Sequence, residues 1–168
     1  MIPCLTKPKR VKSYGFTWLF FWVIYDTADL AGRSSCPRRD MAAKYTLKIV
    51  TDFASAHTLR DYPGACSRMH GHNWKVELEV ESSQLNEIGM AIDFKAIKKA
   101  TNDVCDQLDH RYLNEIEPFT EINPTAENMA AWLYQEIAKK LNTDTLHVSS
   151  ITLWETERAC VRYSEENN

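Results

Sequence analysis

Apolar and polar residues alternate through residues 45–56. Tyr45, Leu47, Ile49 and Phe53 fall on one face, Lys48 and Asp52 on the other. A period of two predicts a half-buried strand. The alternation is stronger over 72–82, where Trp74, Val76, Leu78 and Val80 oppose Lys75, Glu77, Glu79 and Glu81. Between these runs, Pro63 and Gly64 predict a loop over 58–69. The period then changes. Residues 94–108 place Phe94, Ile97, Val104, Cys105 and Leu108 near one helical face, with Asp93 suited to the N-cap. A second helix is predicted from Thr125 to Leu141. Asn123-Pro124-Thr125 supplies its start signal, and Glu127 in the first turn suits the helix dipole. Its apolar stripe is Met129, Trp132, Leu133, Ile137 and Leu141. Residues 147–156 (Val148, Ile151, Leu153) and 159–163 (Cys160, Val161, Tyr163) predict a closing hairpin. The order ββααββ predicts an α+β domain, an antiparallel four-stranded sheet with two helices on one face.

Residues 1–40 do not share this patterning. Lys7, Lys9, Arg10 and Lys12 precede an apolar run from Phe16 to Tyr25, and a polar stretch from Arg33 to Asp40 follows. Basic then apolar is the layout of a secretory signal, but Asp26 and Asp29 follow at once without a clear Ala-x-Ala cleavage site. The sequence is read as an N-terminal extension over 1–40, disordered or outside the native protein, ahead of a domain over 41–168 that starts at Met41. A targeting segment is the alternative. Residues 1–40 carry a net charge of +4 and residues 41–168 one of −7. The domain therefore shows no basic footprint for nucleic acid. No apolar run reaches the about 18 residues of a membrane-spanning helix, so no membrane partner is expected. Five cysteines, an odd number without a Cys-x-x-Cys pair, argue against a disulfide scaffold and for a reducing, cytoplasmic setting.

Three of the five histidines fall within sixteen residues: His57, His70 and His72. His70 and His72 share a face of an extended chain, their Cα atoms roughly 6.6 Å apart. His57 ends the preceding strand and meets them across an antiparallel pair. Three neutral imidazoles with an open fourth position are the arrangement of catalytic Zn2+. Cys66 precedes His70 by four residues in a loop, whereas Cys105 and Cys160 sit on predicted apolar faces. Near a cation the Cys66 thiol can serve as base or nucleophile. As a fourth ligand it would instead close the site and make it structural. Asp109 can orient His110 for proton transfer; the alternative is a histidine complementing a helix C-terminus. Glu155, on the parity of Ile151 and Leu153, points inward and needs a partner. A ligand with an N–C–N donor edge would satisfy it with two parallel bonds, and Arg158 is the alternative.

Taken together, Ser55-Ala56-His57, Cys66-Ser67-Arg68-Met69-His70-Gly71-His72-Asn73, Ile92-Asp93-Phe94, Leu108-Asp109-His110-Arg111-Tyr112-Leu113-Asn114, Asn123-Pro124-Thr125-Ala126-Glu127 and Glu155-Thr156 resemble the 6-pyruvoyl-tetrahydropterin synthase / 6-carboxy-tetrahydropterin synthase family. The likeness runs over about residues 44–164, and the short Cys-x-x-x-His-Gly-His loop is similar to the carboxy-forming branch of queuosine biosynthesis. The resemblance implies the tunnelling fold, with subunits joined into barrels as a hexamer-type homo-oligomer and active sites between them. It implies 7,8-dihydroneopterin triphosphate as substrate and Zn2+ on His57, His70 and His72. It implies Glu155 as anchor of the pterin ring, helped by Thr125, and Cys66 as proton carrier. His110, polarised by Asp109, would be the partner acid/base. Retro-aldol cleavage would then release acetaldehyde and triphosphate and leave 6-carboxy-tetrahydropterin. The alternatives are a pyruvoyl product without side-chain cleavage and, further off, a non-enzymatic zinc-stabilised module. Lys44, Arg68 and Arg111 are the candidates for offsetting the acidic field around a triphosphate.

Overall fold

The computed structural model describes residues 43–165. The expectations for residues 1–40 lie outside the described residues. β1 (Tyr45–His57) and β2 (His70–Ser82) form a long antiparallel hairpin, with Tyr45 opposite Ser82 and His57 opposite His70. α1 (Phe94–Cys105) follows, its Lys95 N–H donating to the Asp93 carboxylate at 2.8 Å. α2 (Ala126–Leu141) starts at the N-cap Thr125, whose Oγ1 accepts from the Asn128 N–H at 3.2 Å. β4 (Leu146–Thr156) pairs with β2, and β5 (Ala159–Tyr163) pairs with β4, both antiparallel.

The predicted α+β class holds, with one strand added. β3 (Arg111–Tyr112) runs parallel to β1, Arg111 beside Ser55 and Tyr112 beside Ala56. The sheet is five-stranded and mixed, in the order β3-β1-β2-β4-β5, rather than four-stranded and antiparallel. Two residues carry no periodicity. β3 exists because the chain turns at His110 (φ +55°), whose N–H donates to the Ala54 carbonyl at 2.6 Å. α1 ends at Cys105, three residues short of the prediction, and Leu108 is buried in the turn that follows.

Both helices cover one face of the sheet. Phe53, Trp74, Val76, Leu78, Ile151 and Leu153 from the strands meet Ile97, Val104, Met129, Leu133 and Ile137 from the helices. The apolar stripes read from the sequence face this core, except that Tyr45 at the start of β1 and Phe94 at the start of α1 are exposed. Cys105 is buried as expected. Cys160 is exposed, contrary to expectation, because Val161 and Tyr163 take the core side of β5 and leave Cys160 on the other. That other face is uncovered and charged. Glu77 and Glu79 both bind Lys48 at 3.1 Å, Glu77 binds Lys75 at 2.8 Å, and Glu79 binds Arg162 at 2.8 Å. Among the described residues no helix is long and apolar enough to cross a membrane.

Ile137 is fully buried. Ile137→Ala should lower stability by about 2–5 kcal/mol, the lost transfer energy plus the cavity left behind. Urea unfolding should show a lower midpoint at an unchanged slope.

Candidate metal centre and adjoining cleft

The buried face of the β1–β2 hairpin ends in imidazoles instead of aliphatic side chains. His57 faces His70 across the ladder and His72 faces Ser55, so all three rings project to one side. Ring centroids are 4.4 Å apart for His57–His70, 5.3 Å for His57–His72 and 5.1 Å for His70–His72. Trp74 packs edge-on against both His57 and His72, at 5.3 and 5.1 Å. Nδ1 of His57 donates to the Pro124 carbonyl, and Nδ1 of His70 to the Arg68 carbonyl, each at 2.8 Å. A carbonyl can only accept, so these bonds keep the proton on Nδ1 and leave the Nε2 lone pair free. The Nε2 atoms of His57, His70 and His72 are all buried without a hydrogen-bond partner. Burial holds the His57 and His72 imidazoles below their ordinary value, against the opposing pull of the Pro124 carbonyl on His57 and of Glu155 on His72. Both rings therefore favour the neutral, ligand-competent form.

Glu155 completes the group. Its Oε1 lies 3.4 Å from His72 Nε2 and 3.8 Å from His57 Nε2. One donor atom from each of the four residues lies within 4.8 Å of all the others. A β-bulge aims this carboxylate. Glu79 pairs with Ser150 and Val80 with Val148, so Ser149 is an extra residue in β4. Counted from Val148 alone, Glu155 would face the other side of the sheet. With Ser149 extra, it joins Ile151 and Leu153 on the histidine side. Among the described residues the side chains within ion-pair distance of its carboxylate are His57 and His72, not Arg158.

These residues fit a divalent metal. An unpaired buried polar atom costs about 1–3 kcal/mol, and three converge on one point. Neutral imidazoles with one carboxylate suit zinc-like ions. Cys66 Sγ is not among the four donors. It sits half-buried in a short 3-10 turn, Ala65–Ser67, anchored by the Leu59 N–H to the Cys66 carbonyl at 2.9 Å. The buried Cys105 is of another kind: burial first, then nearby aspartates, push its thiol up to about 12.

Asp109 and His110 form a second, separate unit at the β3 edge. Asp109 accepts from the Ala54 N–H at 2.8 Å with one oxygen and from His110 Nδ1 at 2.8 Å with the other. These two donors hold the Asp109 carboxyl below the ordinary range, the Ala54 bond contributing most. The His110 side chain is 83% exposed, and its Nε2 is left for an incoming group. An open cleft of about 590 Å³ is lined in part by His72, Asn73, His110, Arg111 and Tyr112, so His110 and one of the three histidines border the same cleft. Of the three cations proposed for phosphate, Arg111 lines the cleft, Arg68 is exposed near His70, and Lys44 is tied to Glu81 at 2.6 Å.

Sequence reasoning missed the residues that hold His57 in place. Asn114 accepts from the Thr58 N–H and donates to the Thr58 carbonyl, both at 2.8 Å. Asn123 does the same for Arg60, at 2.8 and 2.9 Å. The Arg60 guanidinium adds bonds to the carbonyls of Phe119 and Ile122, at 2.9 and 2.6 Å. Each asparagine copies one rung of a sheet ladder and fixes the chain leaving His57. Asn123→Ala would leave two Arg60 backbone groups unpaired and loosen the neighbouring Pro124 carbonyl. Metal affinity should fall about tenfold or more, as for other partners that orient a metal ligand. Chelator competition would measure it.

Comparison with known proteins agrees with the geometry. A sequence profile of the 6-pyruvoyl tetrahydropterin synthase family matches residues 46–166, and the chain belongs to that family of lyase-type enzymes. A 6-carboxy-5,6,7,8-tetrahydropterin synthase from Synechocystis sp. is 34% identical over 116 residues, covering 66% of this chain and 86% of that protein. A dihydroneopterin monophosphate aldolase from Pyrococcus furiosus is 33% identical over 115 residues, covering 68% and 91%. Among solved structures, 6-pyruvoyl tetrahydropterin synthase from Caenorhabditis elegans superposes with a TM-score of 0.67 at 24% identity, covering 74% of this chain and 97% of that one.

Proposed function

We propose that the protein is a zinc-dependent lyase converting 7,8-dihydroneopterin triphosphate to 6-carboxy-5,6,7,8-tetrahydropterin, acetaldehyde and triphosphate, within queuosine synthesis. The observation that carries this reading is the convergence of three unpaired imidazole nitrogens with Glu155, with His72 bordering a cleft that His110 also lines. The name of the Synechocystis relative favours the carboxy-forming branch over the pyruvoyl one.

The roles follow from the donors. His57, His70 and His72 hold the metal, which when bound polarises the substrate's side-chain oxygens as a Lewis acid. Glu155 receives the amino and N3 hydrogens of the pterin ring in two parallel bonds. Thr125 accepts from the Asn128 N–H, so its own hydroxyl hydrogen is free for a ring acceptor. Cys66 removes and returns protons at the side-chain carbons. His110, its Nδ1 proton held by Asp109, exchanges protons through Nε2. Arg111 supplies positive charge for the phosphates. The same reading takes the domain as residues 41–168, with 1–40 as an extension, in a cytoplasmic homo-oligomer of the hexamer type. Its subunits would complete each other's active sites. The uncovered sheet face and the outer edge of β5 are surfaces open to such assembly.

Mass spectrometry of the products from zinc-loaded protein and dihydroneopterin triphosphate under anaerobic conditions tests the reading. Acetaldehyde with a 6-carboxy pterin is the expected result. A pterin that keeps its three-carbon side chain as pyruvoyl would overturn it. The Pyrococcus relative's name motivates a second reading, aldol cleavage of the monophosphate. Turnover of the monophosphate in preference to the triphosphate would favour that one.

A further inference from the structure

We propose that Ser55 is a positioning residue for the metal centre: its hydroxyl oxygen accepts the Nδ1 proton of His72 and so fixes the one imidazole of the three that no main-chain carbonyl holds. This rests on the metal-binding part of the functional reading above and deepens it by one layer.

The three histidines are not held alike. His57 and His70 each give their Nδ1 proton to a carbonyl at 2.8 Å, those of Pro124 and Arg68. Among the described residues His72 Nδ1 has no hydrogen-bond partner; the groups that act on this ring are Glu155 and His70, through charge alone. A metal on Nε2 leaves the proton on Nδ1, so this N–H needs an acceptor of its own.

Ser55 is where the fold supplies one. It lies directly opposite His72 in the β1–β2 ladder, on the same face of the sheet. Opposed side chains of such a pair start about 4.5–5.5 Å apart at Cβ, which a hydroxyl and an imidazole can bridge. The surroundings then close over it. Trp74 is fully buried and faces β1 at Phe53, two residues before Ser55. Its indole nevertheless reaches the rings of His57 and His72, at 5.3 and 5.1 Å. To touch both it leans along the strand over Ser55, which is 6% exposed. The Ser55 Oγ atom is buried there without a hydrogen-bond partner.

The count of donors points to His72. His57 Nδ1 is committed to Pro124, and one nitrogen of each imidazole belongs to the metal group. His72 Nδ1 and Trp74 Nε1 remain, and Trp74 Nε1 is itself buried without a partner. An indole N–H only donates, as does the Nδ1 of an imidazole whose Nε2 holds a metal. A serine oxygen has two lone pairs and can serve both. In the structure Ser55 makes neither bond. Its hydroxyl has three staggered positions about Cα–Cβ, and the ring fixed by the metal selects the one that reaches Nδ1. A buried hydroxyl that never made these bonds would cost stability with no return.

The test compares the full chain with its Ser55→Ala variant, each with and without Zn2+. In 1H–15N spectra of the zinc-loaded wild type the His72 Nδ1 proton should appear with those of His57 and His70. In Ser55→Ala it should be lost to exchange with water while the other two persist. Zinc affinity, by chelator competition, should fall about tenfold or more, the usual effect of removing a partner that orients a metal ligand. Without metal, the variant should unfold at the same or a higher urea concentration, because an unpaired buried hydroxyl has gone. A purely structural role for Ser55 would not weaken zinc binding while leaving metal-free stability intact. A His72 Nδ1 proton that persists in Ser55→Ala, or is missing from the zinc-loaded wild type, would overturn the proposal. So would equal zinc affinity, or a fall in metal-free stability that accounts for the weaker binding. In each of those cases, zinc held by the wild type leaves the functional reading standing. A wild type that takes up no zinc would overturn both.

Discussion

His70→Ala should strip the protein of its metal and abolish turnover while leaving the fold in place. Structural zinc sites are worth about 10–16 kcal/mol in all. Losing one of three imidazole donors therefore removes roughly 4 kcal/mol, about three decades in affinity. His70 lies beyond the packed core: Trp74, Val76, Leu78 and Val80 of the same strand are fully buried without any help from it. The two helices cover that face independently of the histidines. Zinc analysis after dialysis, with far-UV circular dichroism of the same sample, checks both halves. A chain that unfolds on losing its metal would be a zinc-stabilised module instead of an enzyme.

Cys66→Ala should have the opposite profile. Metal content should match wild type, because Cys66 Sγ is outside the four-donor group. Turnover should fall by about 10²–10⁴-fold, the usual contribution of a positioned acid or base. Metal analysis and single-turnover kinetics on one preparation separate the two effects. Loss of zinc in this variant would make Cys66 a ligand and remove it from proton transfer.

The long elements were legible because each repeats one physical preference many times. β2 offers Trp74, Val76, Leu78 and Val80 to the core in strict alternation, and α2 carries its stripe over several turns. The histidine cluster was legible for a related reason: His70 and His72 share a strand face, and a hairpin brings His57 opposite. What escaped depends on single events. β3 rests on one residue with positive φ, His110, and one exchange with Ala54. The inward aim of Glu155 could be counted from Leu153, yet its approach to the histidines depends on the strand register and on an extra residue at Ser149. The asparagine clamps join positions more than fifty residues apart, and neither Asn114 nor Asn123 differs in sequence from an ordinary turn residue. Cys160 was readable in principle, since it lies between the core-facing positions of β5, but a five-residue strand gives parity little to repeat on.

Those clamps have a bearing on how this scaffold can vary. The segment between β1 and β2 is pinned at one base by Asn114 on Thr58 and Asn123 on Arg60. It is pinned at the other by the Arg68 carbonyl on His70 and the Cys66 carbonyl on the Leu59 N–H. Residues 61–64, which include Asp61 at φ +59°, lie between these fastenings. A chain gripped at both bases can gain or lose residues at its tip without transmitting the change to the imidazoles. The metal geometry and the Cys66 backbone are thus both mechanically insulated from the tip between them. Loop length at 61–64 can change through descent while both keep their places, and a single scaffold can carry different tips without rebuilding its metal centre.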